Sequence, residues 1–197
     1  HPHCIGIPGC SIMFISDWYD KSHHKTKAEI INNFCEAHKG LFNPRDSEIT
    51  TSHNLHKMGI NQDQEAKIEI QKFKTELDQL LDVKAEEIIT LPQFFIALNY
   101  AYALSIGLNV NNVDTIVFQL HSPLASRAAF LRNFNTKIIQ IVREPVQSIY
   151  SHKRHYDDAG SAGDYDFKGI VHQMGIYYAI PGFEHCTKAL RLEDLHL

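Results

Sequence analysis

Long hydrophobic runs are missing from this chain of 197 residues. No apolar stretch approaches the roughly 18 residues that would span a bilayer, and no secretory signal is visible. Cysteine is sparse. Cys4, Cys10, Cys35 and Cys186 are scattered with no paired spacing, so they read as buried thiols rather than a disulfide framework, which favours a reducing compartment. Charge of one sign is also missing: a net charge of -4 gives no reason to expect a nucleic-acid surface. Histidines are numerous, at 13, yet neither an HExxH pattern nor a Cys/His ligand set accompanies them, so no metal is expected. Eight of them fall in pairs, His1 and His3, His23 and His24, His53 and His56, and His152 and His155, and most read as solvated or locally hydrogen-bonded rings. A GxxxxGK[ST] loop is absent, which argues against a P-loop kinase. There is no internal repeat and no low-complexity tract.

What remains is the length and composition of one globular domain with a single core, with 44% of residues hydrophobic and 21% charged. We read residues 1–197 as a single α/β domain. Residues 4–8 make a short first strand that enters a Gly/Ser turn at Gly9, Cys10 and Ser11, a setting suited to cradling phosphate; an ordinary strand and turn is the alternative. Residues 26–39 predict a helix, with Thr26 and Glu29 in capping-box spacing, Ile30, Ile31, Phe34 and Leu41 on its apolar face, and Gly40 as terminator. Residues 40–61 are rich in Asn, Ser, Thr and Pro and read as loop. A second helix is expected over 62–81, where Ala66, Ile70, Phe73, Leu77 and Leu80 recur every three or four residues. A third starts at Thr90, with Gln93 completing a capping box, Pro92 in the first turn and Gly107 as its stop. It is apolar nearly all round and is expected to lie buried against a sheet.

Two stretches carry the chemistry. Residues 115–120 read as a buried strand with His121 at its carboxyl end, followed by Ser122-Pro123 and a short helix; a histidine satisfied by a backbone carbonyl is the plain alternative. Residues 137–142 form an apolar, β-branched run of the kind found in buried parallel strands. Arg143 ends the run, Pro145 fits a first helical turn, and Val146, Ile149 and Tyr150 follow at helical spacing. Helix N-termini attract anions, and open α/β sheets bind ligands beyond the carboxyl ends of their strands. Lys153 and Arg154 add a local basic cluster. Further on, 157–166 read as loop, 167–179 as helix, and 187–195 as strand plus turn.

The segment Arg143-Glu-Pro-Val-Gln-Ser-Ile-Tyr-Ser151 resembles the sulfotransferase segment that binds the 3'-phosphate of 3'-phosphoadenosine 5'-phosphosulfate (PAPS). The resemblance implies that Arg143 and Ser151 hold that phosphate, a task that suits the planar fork of arginine. The stretch ending in His121-Ser-Pro123 resembles the family strand whose terminal histidine is the catalytic base. Leu192-Glu-Asp-Leu195 is similar to a later family element in which the acids cap or brace. The first loop, Ile7-Pro8-Gly9-Cys10-Ser11-Ile12, stands where the family holds the 5'-phosphosulfate. It keeps the proline, lacks the usual basic residue, and has Ile12 in place of a hydroxyl. Either the loop is degenerate or the family's loop lies in residues that this chain does not include. Arg127, Lys153 and Arg154 stand as candidates for the missing cation.

The resemblance covers mainly residues 114–195 and implies a central parallel sheet flanked by helices, of P-loop-like sulfotransferase architecture, in a chain that ends before the family's last nucleotide contact. It implies transfer of a sulfuryl group from PAPS to a hydroxyl or amine, with His121 as general base, backbone N–H groups of Gly9, Cys10, Ser11 and Ile12 on the 5' end, and no metal. The acceptor stays open among carbohydrate, small alcohol, lipid and protein tyrosine. The alternative function is a non-catalytic binding or scaffold protein of the same fold. A cytoplasmic location is expected, with a Golgi-lumen catalytic domain as the alternative.

Overall fold

The computed structural model describes residues 3–7, 15, 18–43, 61–63, 67–82, 88–118, 133–142, 144–158 and 186–191. The chain divides into two compact units, His1–His121 and Ser122–Leu197. Both mix helices with parallel strands.

In the first unit, β1 (Cys4–Ile5) pairs in parallel with β2 (Thr115–Ile116), Cys4 opposite Thr115 and Ile5 opposite Ile116. Beyond the pairing, the Ile5 carbonyl accepts the Val117 N–H at 2.8 Å. The strands approach so closely there that position 6 has no room for a side chain: a Cβ on Gly6 would lie 3.2 Å from the Val117 carbonyl carbon and nearer still to its oxygen. At the other end, the His3 carbonyl accepts the N–H groups of Asp114 and Thr115 at 3.3 and 3.2 Å. The His3 ring donates to the Asn112 carbonyl at 2.8 Å, a bond between residues 109 positions apart.

Between these strands in the sequence, three α-helices have both ends among the described residues. Helix α1 (Lys27–Ala37) carries the full capping box: Glu29 N–H donates to Thr26 Oγ1, and Thr26 N–H donates to the Glu29 carboxylate at 3.0 Å. The Thr26 hydroxyl, donating to the Glu29 carboxylate at 2.7 Å, and after it the Thr26 N–H hold that carboxyl below its ordinary value. Its apolar stripe buries Ile30, Ile31, Phe34 and Cys35. Gly40 is not its terminator. The helix ends at His38, and Gly40 lies buried inside a following 3-10 turn, Lys39–Leu41. Burial raises the Cys35 thiol to about 11, so it is protonated at neutral pH and Cys35 packs as a small apolar side chain.

Helix α2 (Ile70–Leu80) begins eight residues later than the periodicity predicts. Gln62 adopts a left-handed φ of 54°, and Ile68 uses its N–H to reach the Phe42 carbonyl at 2.9 Å rather than a helical partner. The chain is thereby pinned to the end of the 3-10 turn before it can coil. Phe73 and Leu77 face the core, while Ile70 and Leu80, expected on the same stripe, are 38% and 39% exposed.

Helix α3 (Leu91–Ser105) matches its expected bounds. Thr90 and Gln93 form the capping box, and Pro92 sits in the first turn. Gly107 closes the helix at φ 81°, its N–H bonding to the Leu104 carbonyl while Leu108 N–H returns to Ala103. This is a Schellman cap, which requires the left-handed glycine. The helix buries Phe94, Phe95, Ala97, Leu98, Asn99, Ala101, Tyr102 and Ala103 because it packs against α2 as well as β1. Rings knit α1, α2 and α3 together: Phe34 meets Phe94 edge-on at 5.5 Å and lies stacked with Phe73 at 6.4 Å, and Trp18 stacks on Phe94 at 5.5 Å.

In the second unit, β3 (Ile138–Val142) leads into α4 (Pro145–Asp158) and pairs in parallel with β4 (Cys186–Arg191). The register runs from Ile139 opposite Lys188 to Val142 opposite Arg191, with an irregularity after Ile138. A helix between two parallel strands is the crossover such pairing needs. Two parallel pairs, rather than one continuous sheet, are what the described residues form. Of the loop expected over 40–61, residues 40 and 41 belong to the 3-10 turn and residues 44–60 lie outside the described residues, as do the expected helix of 167–179 and the acids Glu193 and Asp194. No helix among the described residues is long and apolar enough to cross a membrane.

Candidate functional site

Of the expected site residues, Gly9, Cys10, Ser11, Ile12, His121 and Arg143 lie outside the described residues, as does Arg127. Ser151 lies within them, exposed on α4. The structure describes the backbone from which each of the others springs.

The loop of Gly9 to Ile12 follows from Ile7, a buried residue just past β1. The Ile7 N–H is not spent on the strand pair. It donates to the Asn99 Oδ1 of α3 at 3.2 Å, inside the core. The root of the loop is therefore tied to a helix by a side-chain amide. In the sequence Asn99 lies within a helix that is apolar nearly all round. Its signal was the one polar side chain in the run from Phe94 to Leu104.

His121 follows from β2. The expectation of a buried strand over 115–120 is only partly met: the strand spans Thr115–Ile116, Thr115 is exposed, and Val117 is 59% exposed. Thr115 and Val117, two residues apart, project to the same face of the chain, and that face is exposed. Phe118 is held edge-on to Phe95 at 5.5 Å, so the chain is anchored to α3 three residues before His121.

Arg143 follows directly from Val142, the last residue of β3, and the register sets Arg191 of β4 beside Val142. A second arginine thus shares this strand end, one that sequence spacing alone did not single out because Arg191 is distant in the chain.

The start of α4 differs from the expectation of an anion-attracting helix end. Pro145 has no N–H to offer. The Gln147 N–H donates to the carboxylate of Glu144 at 2.7 Å, so the chain's own acid serves the first turn. Along the exposed flank, Gln147, Ser151 and Arg154 succeed one another at i, i+4 and i+7 spacing, all exposed, which sets them on one side of the helix. Val146 and Tyr150, placed by periodicity on an apolar stripe, are 72% and 69% exposed; Ile149 is half-buried.

The first unit also holds buried titratable groups. His38, at the carboxyl end of α1, packs its ring 4.7 Å from Phe34 and 6.3 Å from Trp18, and burial lowers it to about 4. Burial also raises Tyr102 to about 12. Among the described residues, no group of three or more His, Cys, Asp or Glu side chains is placed to hold a metal ion. No family model, no curated protein and no solved structure matches this chain.

Proposed function

We propose that the protein transfers a sulfuryl group from 3'-phosphoadenosine 5'-phosphosulfate to a hydroxyl or amine acceptor, on a P-loop-like sulfotransferase architecture. The observation that carries the reading is the element β3–Arg143–Glu144–α4. A parallel strand ends one residue before an arginine, a proline opens the helix, and Ser151 lies exposed on that helix eight positions after the arginine. Arginine and a hydroxyl are complementary donors for a phosphate dianion.

In this reading Arg143 and Ser151 bind the 3'-phosphate and fix the donor. The backbone of Gly9, Cys10, Ser11 and Ile12 receives the 5'-phosphosulfate. His121 takes the proton from the acceptor as its oxygen or nitrogen bonds to sulfur and the bond from sulfur to the nucleotide's phosphate oxygen breaks. The nucleotide leaves as adenosine 3',5'-bisphosphate. Histidine suits the step because its ordinary pKa lies near neutrality. By analogy with phosphoryl transfer, positioning and charge stabilisation supply most of the acceleration. The loop has no lysine or arginine of its own, a feature that favours the second reading, a nucleotide-binding protein of this fold without turnover.

Calorimetry with adenosine 3',5'-bisphosphate tests the reading. The intact protein should bind it, and Arg143→Ala should lose roughly tenfold or more in affinity, as expected for removing a charged hydrogen-bond donor. Absence of binding to the intact wild-type protein overturns the assignment. Binding without sulfuryl transfer to any hydroxyl or amine acceptor selects the second reading.

A further inference from the structure

Helices α1 and α3 each open on a capping box. Helix α2 supplies no cap of its own among the described residues: Glu69 at its N-cap makes no side-chain cap bond, and no basic residue stands in its last turn. An α-helix leaves its last four carbonyls without an N–H from the helix itself. At α2 two of those carbonyls are met from another helix. Lys27 Nζ donates to the Asp78 carbonyl at 3.0 Å and to the Leu81 carbonyl at 3.2 Å, and it pairs with the Asp78 carboxylate at 2.9 Å. These three acceptors match the three N–H donors of an ammonium. Lys27 is the first residue of α1, where the positive end of its own helix dipole disfavours a cation. At the carboxyl end of α2 the same charge is favoured. Asp78 is 57% exposed, so solvent screens the carboxylate contact, and the weight of the arrangement falls on the carbonyls.

We propose that Lys27 is a charge-dependent clasp on the carboxyl end of α2: with the ammonium in place the last turn of the helix stays shut, and without its charge that turn opens while the rest of the first unit stays folded. Opening uncovers Leu77 and Leu81, both buried in the closed form. The start of α2 is held separately, through the Ile68 N–H on the Phe42 carbonyl, so release begins at the far end. A change that neutralises Nζ releases the clasp, and one that keeps the positive charge does not. The clasp is independent of the sulfuryl-transfer reading and stands or falls without it.

Native-state hydrogen exchange on the intact protein tests the clasp through two amides of α2. Leu81 N–H bonds to the Leu77 carbonyl at the end of the helix, and Phe73 N–H to the Glu69 carbonyl at its start. Lys27→Gln should speed exchange at Leu81 about tenfold, the scale of losing charged hydrogen bonds, and leave Phe73 within about twofold of wild type. Lys27→Arg should restore Leu81 to within about threefold of wild type. Asp78→Asn, which removes the screened contact alone, should change it less than about threefold. Lys74→Gln is the control, because Lys74 also ties α2 to α1, through Asn32 Oδ1 at 2.7 Å, but touches no helix-end carbonyl; it should leave Leu81 unchanged. Equal acceleration at Leu81 and Phe73, no acceleration in Lys27→Gln, an Arg variant as fast as the Gln variant, or a Lys27→Gln protein that does not fold each overturns the proposal. Wild-type protein gives a further measure. Acetic anhydride should label Lys27 several-fold more slowly than the exposed Lys25, and equal labelling of the two refutes the clasp.

Discussion

Replacing Gly6 by alanine tests whether the close approach of β1 to β2 is as tight as it looks. The added Cβ would meet the Val117 carbonyl carbon at 3.2 Å, with the oxygen closer and Val117 Cα at 3.8 Å. Carbon and carbonyl oxygen ordinarily approach no nearer than about 3.3 Å, so the strands must part by roughly an ångström. The obstacle is backbone, which cannot swing aside as a long side chain would. Parting them stretches the bond from Val117 N–H to the Ile5 carbonyl, now 2.8 Å, beyond useful length. The lost bond costs about 1 kcal/mol and the overpacking another 1 to 3, so the sum is about 2 to 4 kcal/mol. Gly107→Ala is the matched control. No atom lies within 4 Å of its added Cβ, and only the left-handed φ of 81° resists the change, at a cost of roughly 1 to 2 kcal/mol. Urea unfolding followed by circular dichroism gives both numbers. Gly6→Ala should be the more damaging of the pair, and it should also weaken binding of adenosine 3',5'-bisphosphate, because both Ile7 and Val117 move. A cost for Gly6→Ala below that of Gly107→Ala would refute the steric argument.

Two further outcomes follow from the first unit. Burial lowers His38 from 6.5 to about 4, so between those values the unfolded chain takes up a proton that the folded ring refuses. Stability from this group is complete above about pH 6.5 and drains away as pH falls toward 4, by about 2 kcal/mol between pH 7 and pH 5 at most; His38→Leu should flatten that part of the urea-midpoint profile, and parallel profiles for variant and wild type would contradict the assignment. Thr90→Ala removes the oxygen that accepts Gln93 N–H at the start of α3 and should cost about 1 kcal/mol in the same assay, additive with Thr26→Ala because the two boxes serve different helices.

The parts of the fold legible from sequence are those in which local chemistry and tertiary packing agree. Both capping boxes, the proline in the first turn of α3 and the glycine that closes it are short-range devices, and each is found where its spacing puts it. The strand and helix around Arg143 were legible for the same reason, a β-branched run cut off by a charge and then a proline. The start of α2 was not legible. Its periodicity extends back toward residue 62, but the Phe42 carbonyl, twenty-six positions from Ile68, claims the N–H that a helix would have used. Gly40 misled in the opposite sense, since a glycine marks a helix stop only when its φ is positive, and here the helix turns into a 3-10 coil without one. Val117, 59% exposed, shows a limit of composition: an apolar β-branched residue is equally at home on the covered and the open face of a strand, and only what packs over that face tells which.

The site was legible mainly as types of residue at strand ends, and the structure changes what those types can do at α4. A helix N-terminus usually offers free N–H groups to an anion. At α4 one of them is absent, because the first residue is Pro145, and another is committed to the Glu144 carboxylate. That carboxylate satisfies the helix end and repels a phosphate brought up to it. If a 3'-phosphate binds here, the helix dipole is therefore a minor contributor, and recognition falls to side chains on the flank. Ser151 lies about 9 Å along the axis from Pro145, at 1.5 Å per residue. The phosphate would then lie against the second and third turns, reached by Arg143 from the strand. Such a site owes its selectivity to the fork of one guanidinium and the position of one hydroxyl. Lysine at position 143 would keep the charge but lose the paired donors.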